Sequence, residues 1–304
     1  MKPRVSCAFR TGTETRPSPR DPLVFFRTDQ VGPMITFTVD IQGRPRRVQG
    51  PPVDLSIPLH FDGPQPSSYG VPPASARAYC DGTFVGDVRA GGSCNFETYT
   101  LTPHCNGTHT EGVGHLTTDR IPVGEILTES LFLAVVISVT PVDPSRTVDQ
   151  YPVGFGENDQ VIDAVSLERV LSRWGAVPAE AIILRTLPNG LEKRVRDYMS
   201  GAPVPFLTPA AMRLLRQSGF QHLLVDLPSV DRLFDEGMLA AHRAWWEVPA
   251  GSHTVPSRDR SGRTITEFIY VPETVSDGIY VLDLQLAPFV ADAAPSRPLL
   301  YALI

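Results

Sequence analysis

The sequence has few cysteines and no long apolar run. Its 304 residues include four scattered cysteines: Cys7, Cys80, Cys94 and Cys105. Such spacing in a long chain is unlike a disulfide framework. The longest apolar stretch, residues 131–139, is far too short to span a bilayer, and the N-terminus shows no apolar run of signal-peptide length. We therefore expect a cytoplasmic protein without a membrane partner.

The chain also lacks an excess of positive charge. It has 27 basic and 33 acidic residues, for a formal net charge of -6, which disfavours a broad nucleic-acid surface. There is no internal repeat, and no G-x-S-x-G motif of the kind that carries the nucleophile of α/β-hydrolase serine enzymes. A hydrophobic content of 42% and a charged content of 20% are typical of a globular chain with ample core.

The N-terminal residues 1–32 differ from the rest of the chain in composition and periodicity. Residues 1–32 are rich in Arg, Thr and Pro without any sustained period, which predicts a disordered tail. Residues 33–304 show no linker, and we predict a single domain. Alternation of apolar and polar residues predicts half-buried strands at 34–41 and 264–271, and continuous apolar runs predict buried strands at 131–139 and 181–186.

Helical patterns are concentrated in the second half of the chain. Residues 166–174 have helical periodicity with Ser166 as the predicted cap, and Thr208-Pro209 opens a helix that ends near Gly219. A further helix is predicted over 239–246. Many strands with helices between 160 and 250 indicate a mixed α+β or α/β domain.

The densest group of potential metal ligands lies in residues 102–115. It contains His104, Cys105, His109, Glu111 and His115. Imidazole, thiolate and carboxylate groups bind first-row divalent metals, and this mixture suits zinc. Gly107 and Thr108, between Cys105 and His109, argue against a helix, and the three glycines of the stretch allow tight backbone geometry. We predict a strand end or loop in which His109 and Glu111 project from the same side.

The same stretch resembles a family signature. Residues 105–115, C-N-G-T-H-T-E-G-V-G-H, are similar to the H-x-G-T-H-x-D-x-P-x-H motif of the cyclase-like metal-dependent hydrolases, a family that includes bacterial kynurenine formamidases and isatin hydrolases. Further similarities follow in order across residues 50–304. They are D-L-S-I-P-L at 54–59, I-L-R-T at 183–186, V-D-L-P-S-V-D at 225–231 and P-S-R-P at 295–298.

The resemblance implies a fold, an assembly and a set of site residues. It implies a swivelling β/β/α domain that forms a homo-oligomer, either a dimer or a tetramer, and cleaves amide bonds with a bound divalent metal. Carried over position by position, the acid/base residue is His115 and the implied metal ligands are Cys105, His109, Glu111, His242 and Glu267. Each of these residues also has an explanation that involves no metal. Cys105, for example, would be a small buried hydrophobic residue, and His242 would be a histidine of the core.

Three positions depart from the family motif. Cys105 replaces the first histidine, Glu111 replaces the aspartate and Val113 replaces the proline. A thiolate ligand favours Zn²⁺, with Mn²⁺ as the second choice. His104 beside Cys105 is the alternative ligand.

The resemblance therefore implies a small-molecule substrate. We expect a metal-dependent amidohydrolase in which metal-activated water attacks an aryl formamide, such as N-formylkynurenine of tryptophan catabolism, or a cyclic amide. The altered motif leaves one alternative: a catalytically weak metal-binding or regulatory relative that keeps the fold. The aromatic residues Trp245, Trp246 and Phe268 either stack on the substrate or belong to the core.

Overall fold

The computed structural model describes residues 36–175, 178–255 and 262–304. The strands in these residues are β1 Thr36–Ile41, β2 Arg44–Asp54, β3 Ser75–Ala78, β4 Cys80–Asp81, β5 Phe84–Val85, β6 Glu97–Thr100, β7 His109–Glu111, β8 Leu131–Val139, β9 Val161–Ile162, β10 Ala181–Thr186, β11 Phe206–Leu207, β12 His222–Val225, β13 Thr264–Glu267, β14 Gly278–Leu286 and β15 Ala293–Leu303. The α-helices are α1 Pro103–Asn106, α2 Val123–Ile126, α3 Ala164–Leu171, α4 Pro209–Gln217 and α5 Ala240–Trp246.

One large mixed sheet organises these elements. Its strand order is β1-β2-β15-β14-β8-β10-β12-β13-β7, and a further pairing between β15 and β7 closes seven of the strands into a barrel-like ring. The four strands β8, β10, β12 and β13 run parallel to one another, while β7, β14 and β15 pair in antiparallel fashion. The mixed α/β fold class expected from the sequence is confirmed.

Two apolar cores lie on the two faces of this sheet. On β8, Ala134 and Val136 belong to one buried cluster, whereas Val135 and Ile137 belong to the other. The second cluster also contains buried side chains of α3, α4 and α5, so the helices cover that face of the sheet. Burial on both faces explains why the central strands appear in the sequence as continuous apolar runs.

The helix caps were predicted with mixed success. Thr208 caps α4 as predicted, because its hydroxyl accepts a hydrogen bond of 3.1 Å from the Ala211 amide. Ser166 as the cap of α3 is wrong. That helix begins two residues earlier, and the Asp163 carboxylate accepts a 2.9 Å hydrogen bond from the Ser166 amide. A carboxylate at the start of a helix satisfies the free amides and also favours the helix dipole.

Other boundaries differ where local geometry interrupts the pattern. The strand predicted over 264–271 ends at Glu267, because Phe268 has a positive φ of 55° and the chain turns there. The stretch at 102–115 was predicted to contain no helix, yet Pro103–Asn106 forms a single helical turn before the strand β7. The predicted tail, residues 1–32, lies outside the described residues. Within the described ranges, none of the helices combines the length and hydropathy needed to cross a membrane.

Candidate metal centre

The strands β7 and β13 bring three of the sequence-predicted ligands together. In their antiparallel register His109 lies opposite Glu267, and Glu111 lies opposite Ile265. Strand alternation therefore places the side chains of His109, Glu111 and Glu267 on one face, and all three residues are buried. Donor atoms of these three side chains lie within 4.8 Å of one another. The prediction that His109 and Glu111 share a side is confirmed.

His109 is held in the form that binds a metal. Its Nδ1 lies 3.0 Å from the carbonyl oxygen of Gly107 and donates a hydrogen bond to it, which leaves the lone pair on Nε2. Complete burial, together with the nearby His104, lowers the pKa of His109 to about 4. Within the described part of the chain, Nε2 is buried without a hydrogen-bond partner, and it lies 3.5 Å from Glu267 Oε2. A neutral imidazole with an unused buried lone pair fits a metal ligand.

The two buried glutamates have very different surroundings. Burial, reinforced by the charge of Glu111, raises the pKa of Glu267 to about 8. Burial also opposes ionisation of Glu111. The electrostatic attraction of His115 and His242 outweighs this penalty and holds the pKa of Glu111 well below its usual range. Glu267 Oε1 accepts a 2.8 Å hydrogen bond from the Val230 amide. Two carboxylates that repel each other in a dry site are an arrangement that a divalent cation relieves.

His242 reaches this cluster from helix α5. Its Nε2 lies 2.8 Å from Glu111 Oε1, and its Nδ1 lies 2.6 Å from Asp231 Oδ2. Burial disfavours the charged imidazole, but the charge of Glu111 and the hydrogen bond to Asp231 outweigh it and raise the pKa of His242 well above its usual value. The structure thus places His242 beside the predicted ligands. It lies between two carboxylates and is not a simple core histidine.

A second cluster stands next to the first and shares Glu111. His104, Glu111 and His115 also bring donor atoms within 4.8 Å of one another. His104 Nδ1 lies 3.0 Å from Glu111 Oε2, and His115 Nδ1 lies 3.8 Å from the same oxygen. Asp292 joins this cluster through contacts of 3.1 Å to His104 and 3.6 Å to His115.

Cys105, like His242, belongs to neither cluster, as far as the described residues extend. It is 6% exposed and lies in the single turn of α1. Burial raises the pKa of its thiol, and the charge of Glu267 adds to this effect. Its role as a ligand stays a prediction.

Both clusters open into a cavity of about 760 Å³. The residues lining it are Tyr69, His104, Cys105, Glu111, His115, Ser229, Leu233, Phe234, Asp235, Glu236, Gly237, Leu239, His242 and Glu267. The volume is that of a small-molecule site. Trp245 and Trp246, at the end of α5, are instead fully buried in the core that the helices share with the sheet, so the core explanation for these two residues is confirmed. Phe268 is also buried and does not line the cavity.

Several residues of the site are not among those predicted from the sequence. Asp292 precedes β15 and has no motif around it, and Tyr69 lies in a Pro/Ser/Gly-rich loop. Asp231 belongs to the V-D-L-P-S-V-D segment that resembled the family, so a signal for it was present. Nothing in the sequence linked that segment to His242, with which it now proves to be paired.

A comparison with known families identifies the class of this protein. The family model described as putative cyclase matches residues 53–232, which is more than half of the chain. The chain therefore belongs to the cyclase family, and the family resemblance noted in the sequence is confirmed.

Individual relatives agree with this assignment. The chain is 25% identical over 257 residues to a kynurenine formamidase of Bacillus cytotoxicus, a match that covers 83% of this chain and 97% of the relative. Among solved structures, isatin hydrolase A of Labrenzia aggregata superposes with a TM-score of 0.54 at 16% identity, covering 83% of this chain and 93% of the other. A structure described as a novel cyclase also gives a TM-score of 0.54, at 12% identity and with coverages of 83% and 88%. The structural matches establish the fold, and the sequence relative supports a hydrolase.

Proposed function

We propose that this protein is a metal-dependent amidohydrolase that acts on a small carbonyl compound. The proposed substrate is an aryl formamide such as N-formylkynurenine, in tryptophan catabolism, or a cyclic amide. The observation that carries the proposal is the buried set of His109, Glu111 and Glu267, with the unused lone pair of His109 Nε2. The matched kynurenine formamidase and the isatin hydrolase fold are consistent with these two substrate types.

The donor chemistry fits a divalent metal. His109, Glu111 and Glu267 would hold the ion. The family resemblance further implies His242 and, at the first position of the motif, either Cys105 or its neighbour His104. Nitrogen and oxygen donors suit Zn²⁺ and also accept Mn²⁺. A bound divalent ion supplies a water of lowered pKa and polarises a substrate carbonyl.

Residues of the chain itself account for proton transfer and substrate orientation. His115 lines the cavity with a quarter of its side chain exposed, and its Nδ1 lies 3.6 Å from Asp292 Oδ2. From this place it takes a proton from the attacking water and returns it to the leaving amine. The cavity wall at Leu233 and Phe234 provides apolar surface for an aryl group.

The proposal is tested by metal analysis and a substrate panel. Protein purified without chelator is expected to carry a divalent metal and to hydrolyse at least one member of a panel of aryl formamides and lactams. His115→Asn is expected to lower kcat by about 10² to 10⁴ while leaving the metal content unchanged. His60→Asn, at an exposed histidine away from the cavity, is the matched control.

The opposite outcome would favour the alternative. Tight metal binding with no turnover across the panel would point to a catalytically weak metal-binding relative. Turnover that survives in the His115 variant would instead remove the proposed acid/base role and leave the hydrolase assignment in place.

We further propose that residues 33–304 form one cytoplasmic hydrolase domain that assembles as a dimer or tetramer. The family resemblance implies the assembly, and a cluster of exposed aromatic rings supports it. Tyr79 precedes β4, Phe84 lies on β5 and Phe96 precedes β6. The three rings contact one another, and each residue is more than a third exposed. Light scattering on the purified protein should give a mass of two or four chains, and a monomer would contradict the proposal.

A further inference from the structure

This chain differs from the family at the first ligand position of the motif. The family motif has a histidine where this sequence has Cys105, and the residue before it is His104. In a strand these neighbours would point to opposite sides. Here both belong to the one-turn helix α1, in which successive side chains differ by about 100° of rotation. Both side chains therefore line the same cavity.

Distances favour His104 over Cys105 as the donor. His104 Nδ1 lies 3.0 Å from Glu111 Oε2, at the carboxylate that the two donor clusters share. His104 belongs to one of these clusters, whereas Cys105 belongs to neither within the described ranges. The His104 side chain is 27% exposed and lines the cavity.

The other nitrogen of His104 is occupied by a carboxylate. Nε2 lies 3.1 Å from Asp292 Oδ2, and the backbone carbonyl of Asp292 accepts a 3.0 Å hydrogen bond from the Gly112 amide. Asp292 is thereby anchored to the chain just beyond β7. A histidine that ligates a metal through one nitrogen characteristically donates the other N–H to a carboxylate, which fixes the ring and raises its basicity.

We propose that His104, oriented by Asp292, is the metal ligand that replaces the first histidine of the motif, and that Cys105 does not ligate. The first metal ligand thus lies one residue earlier in this sequence than the family motif would place it. This inference rests on the proposed function, because His104 contacts Glu111, one of the residues proposed there to hold the ion.

Cobalt substitution tests the proposal without measuring activity. Co²⁺-loaded protein is expected to show ligand-field bands without the near-ultraviolet charge-transfer absorption that a thiolate–cobalt bond produces. The ligand-field bands should change in His104→Gln and stay the same in Cys105→Ser. A charge-transfer band that disappears in Cys105→Ser would overturn the proposal.

Metal affinity supplies the second measurement. In a zinc competition titration against a chromophoric chelator, Asp292→Asn is expected to weaken binding by about 10- to 100-fold, because it removes the carboxylate that orients the ligand. His104→Gln should lose more than Asp292→Asn, and Cys105→Ser and the control His60→Gln should remain near the wild-type affinity. Unchanged affinity in His104→Gln would overturn the proposal.

The outcomes separate this inference from the proposed function. Wild-type protein that binds neither zinc nor cobalt would overturn both. Protein that binds metal through Cys105 would overturn only the ligand assignment. Circular dichroism of each metal-free variant shows whether it is folded. If His104→Gln fails to fold, the charge-transfer region of the wild-type cobalt spectrum and the affinity of Asp292→Asn still decide the question.

Discussion

Asp231 is the residue that fixes His242 beside the candidate metal ligands. Besides its 2.6 Å contact with His242 Nδ1, it accepts hydrogen bonds of 2.6 Å from the Tyr151 hydroxyl and 2.6 Å from the Ala241 amide. Burial opposes its ionisation, but the hydrogen bond and charge of His242 hold the pKa of Asp231 below its usual range. The carboxylate is therefore charged and fully hydrogen-bonded, which is the condition under which a buried charge is tolerated.

Removing this charge is expected to destabilise the metal-free protein strongly. Asp231→Asn should lower the free energy of unfolding by roughly 3–5 kcal/mol, since it breaks a buried ion pair and removes one of the two carboxylates that balance the charge of His242. Tyr151→Phe removes one hydrogen bond to the same carboxylate and should cost about 1 kcal/mol. Urea denaturation of the two variants measures the difference. Equal effects would show that the charge of Asp231 contributes little to stability.

At the scale of elements, the turn that follows β7 places His115 beside Glu111. The short 3₁₀ helix Val113–His115 packs against the chain at Ile121 so closely that a Cβ atom on Gly114 would collide with the backbone nitrogen and oxygen of Ile121. A Cβ atom on Gly112 would instead collide first with the end of the Ile126 side chain, which can rotate away. The two glycines therefore differ in what an added methyl group displaces.

Alanine at these two positions should therefore differ in its effect on stability and metal content. Gly114→Ala is expected to cost about 3 kcal/mol or more, because backbone must move, and to reduce metal content by displacing the turn. Gly112→Ala should cost about 1 kcal/mol and retain metal. Thermal unfolding and metal analysis of both proteins provide the test. A Gly112 variant as damaged as the Gly114 variant would contradict this account of the turn.

For the molecule as a whole, His222 links global stability to pH. It lies in β12, with its ring 4.3 Å from the ring of Phe132 and its Nδ1 2.8 Å from Thr264 Oγ1. Burial lowers its pKa to about 4. An unfolded chain binds this proton near pH 6.5, whereas the folded chain binds it only near pH 4. The associated stability is therefore complete above pH 6.5 and is lost as the pH falls towards 4.

The size of this effect follows from the shift in pKa. We expect the wild-type free energy of unfolding to fall by about 3 kcal/mol more than that of His222→Gln between pH 7.5 and pH 4. Chemical denaturation at several pH values measures the two curves. Curves that stay parallel over this range would exclude His222 as the titrating group.

Local patterns determined much of the architecture. The buried strands β8 and β10 occur with the predicted bounds, and α4 begins at the predicted Thr208 cap, because apolar periodicity and helix capping depend on residues close in the chain. The same reasoning correctly placed His109 and Glu111 on one side of a strand. It failed at the end of β13 and at the cap of α3, where a turn at Phe268 and a competing carboxylate at Asp163 decided the boundaries.

The sequence by itself therefore determined several strands of the large sheet, the three longer helices, the family and the dense group of ligand-type residues. Only the tertiary structure decided how those residues are paired. Glu111 meets His242 across 131 positions, and His104 meets Asp292 across 188 positions. Neither contact has a local signature, because each arises from closure of the sheet and packing of α5 against it. Whether His104 or Cys105 faces Glu111 likewise depends on the single helical turn of α1, which the glycine-rich sequence did not predict.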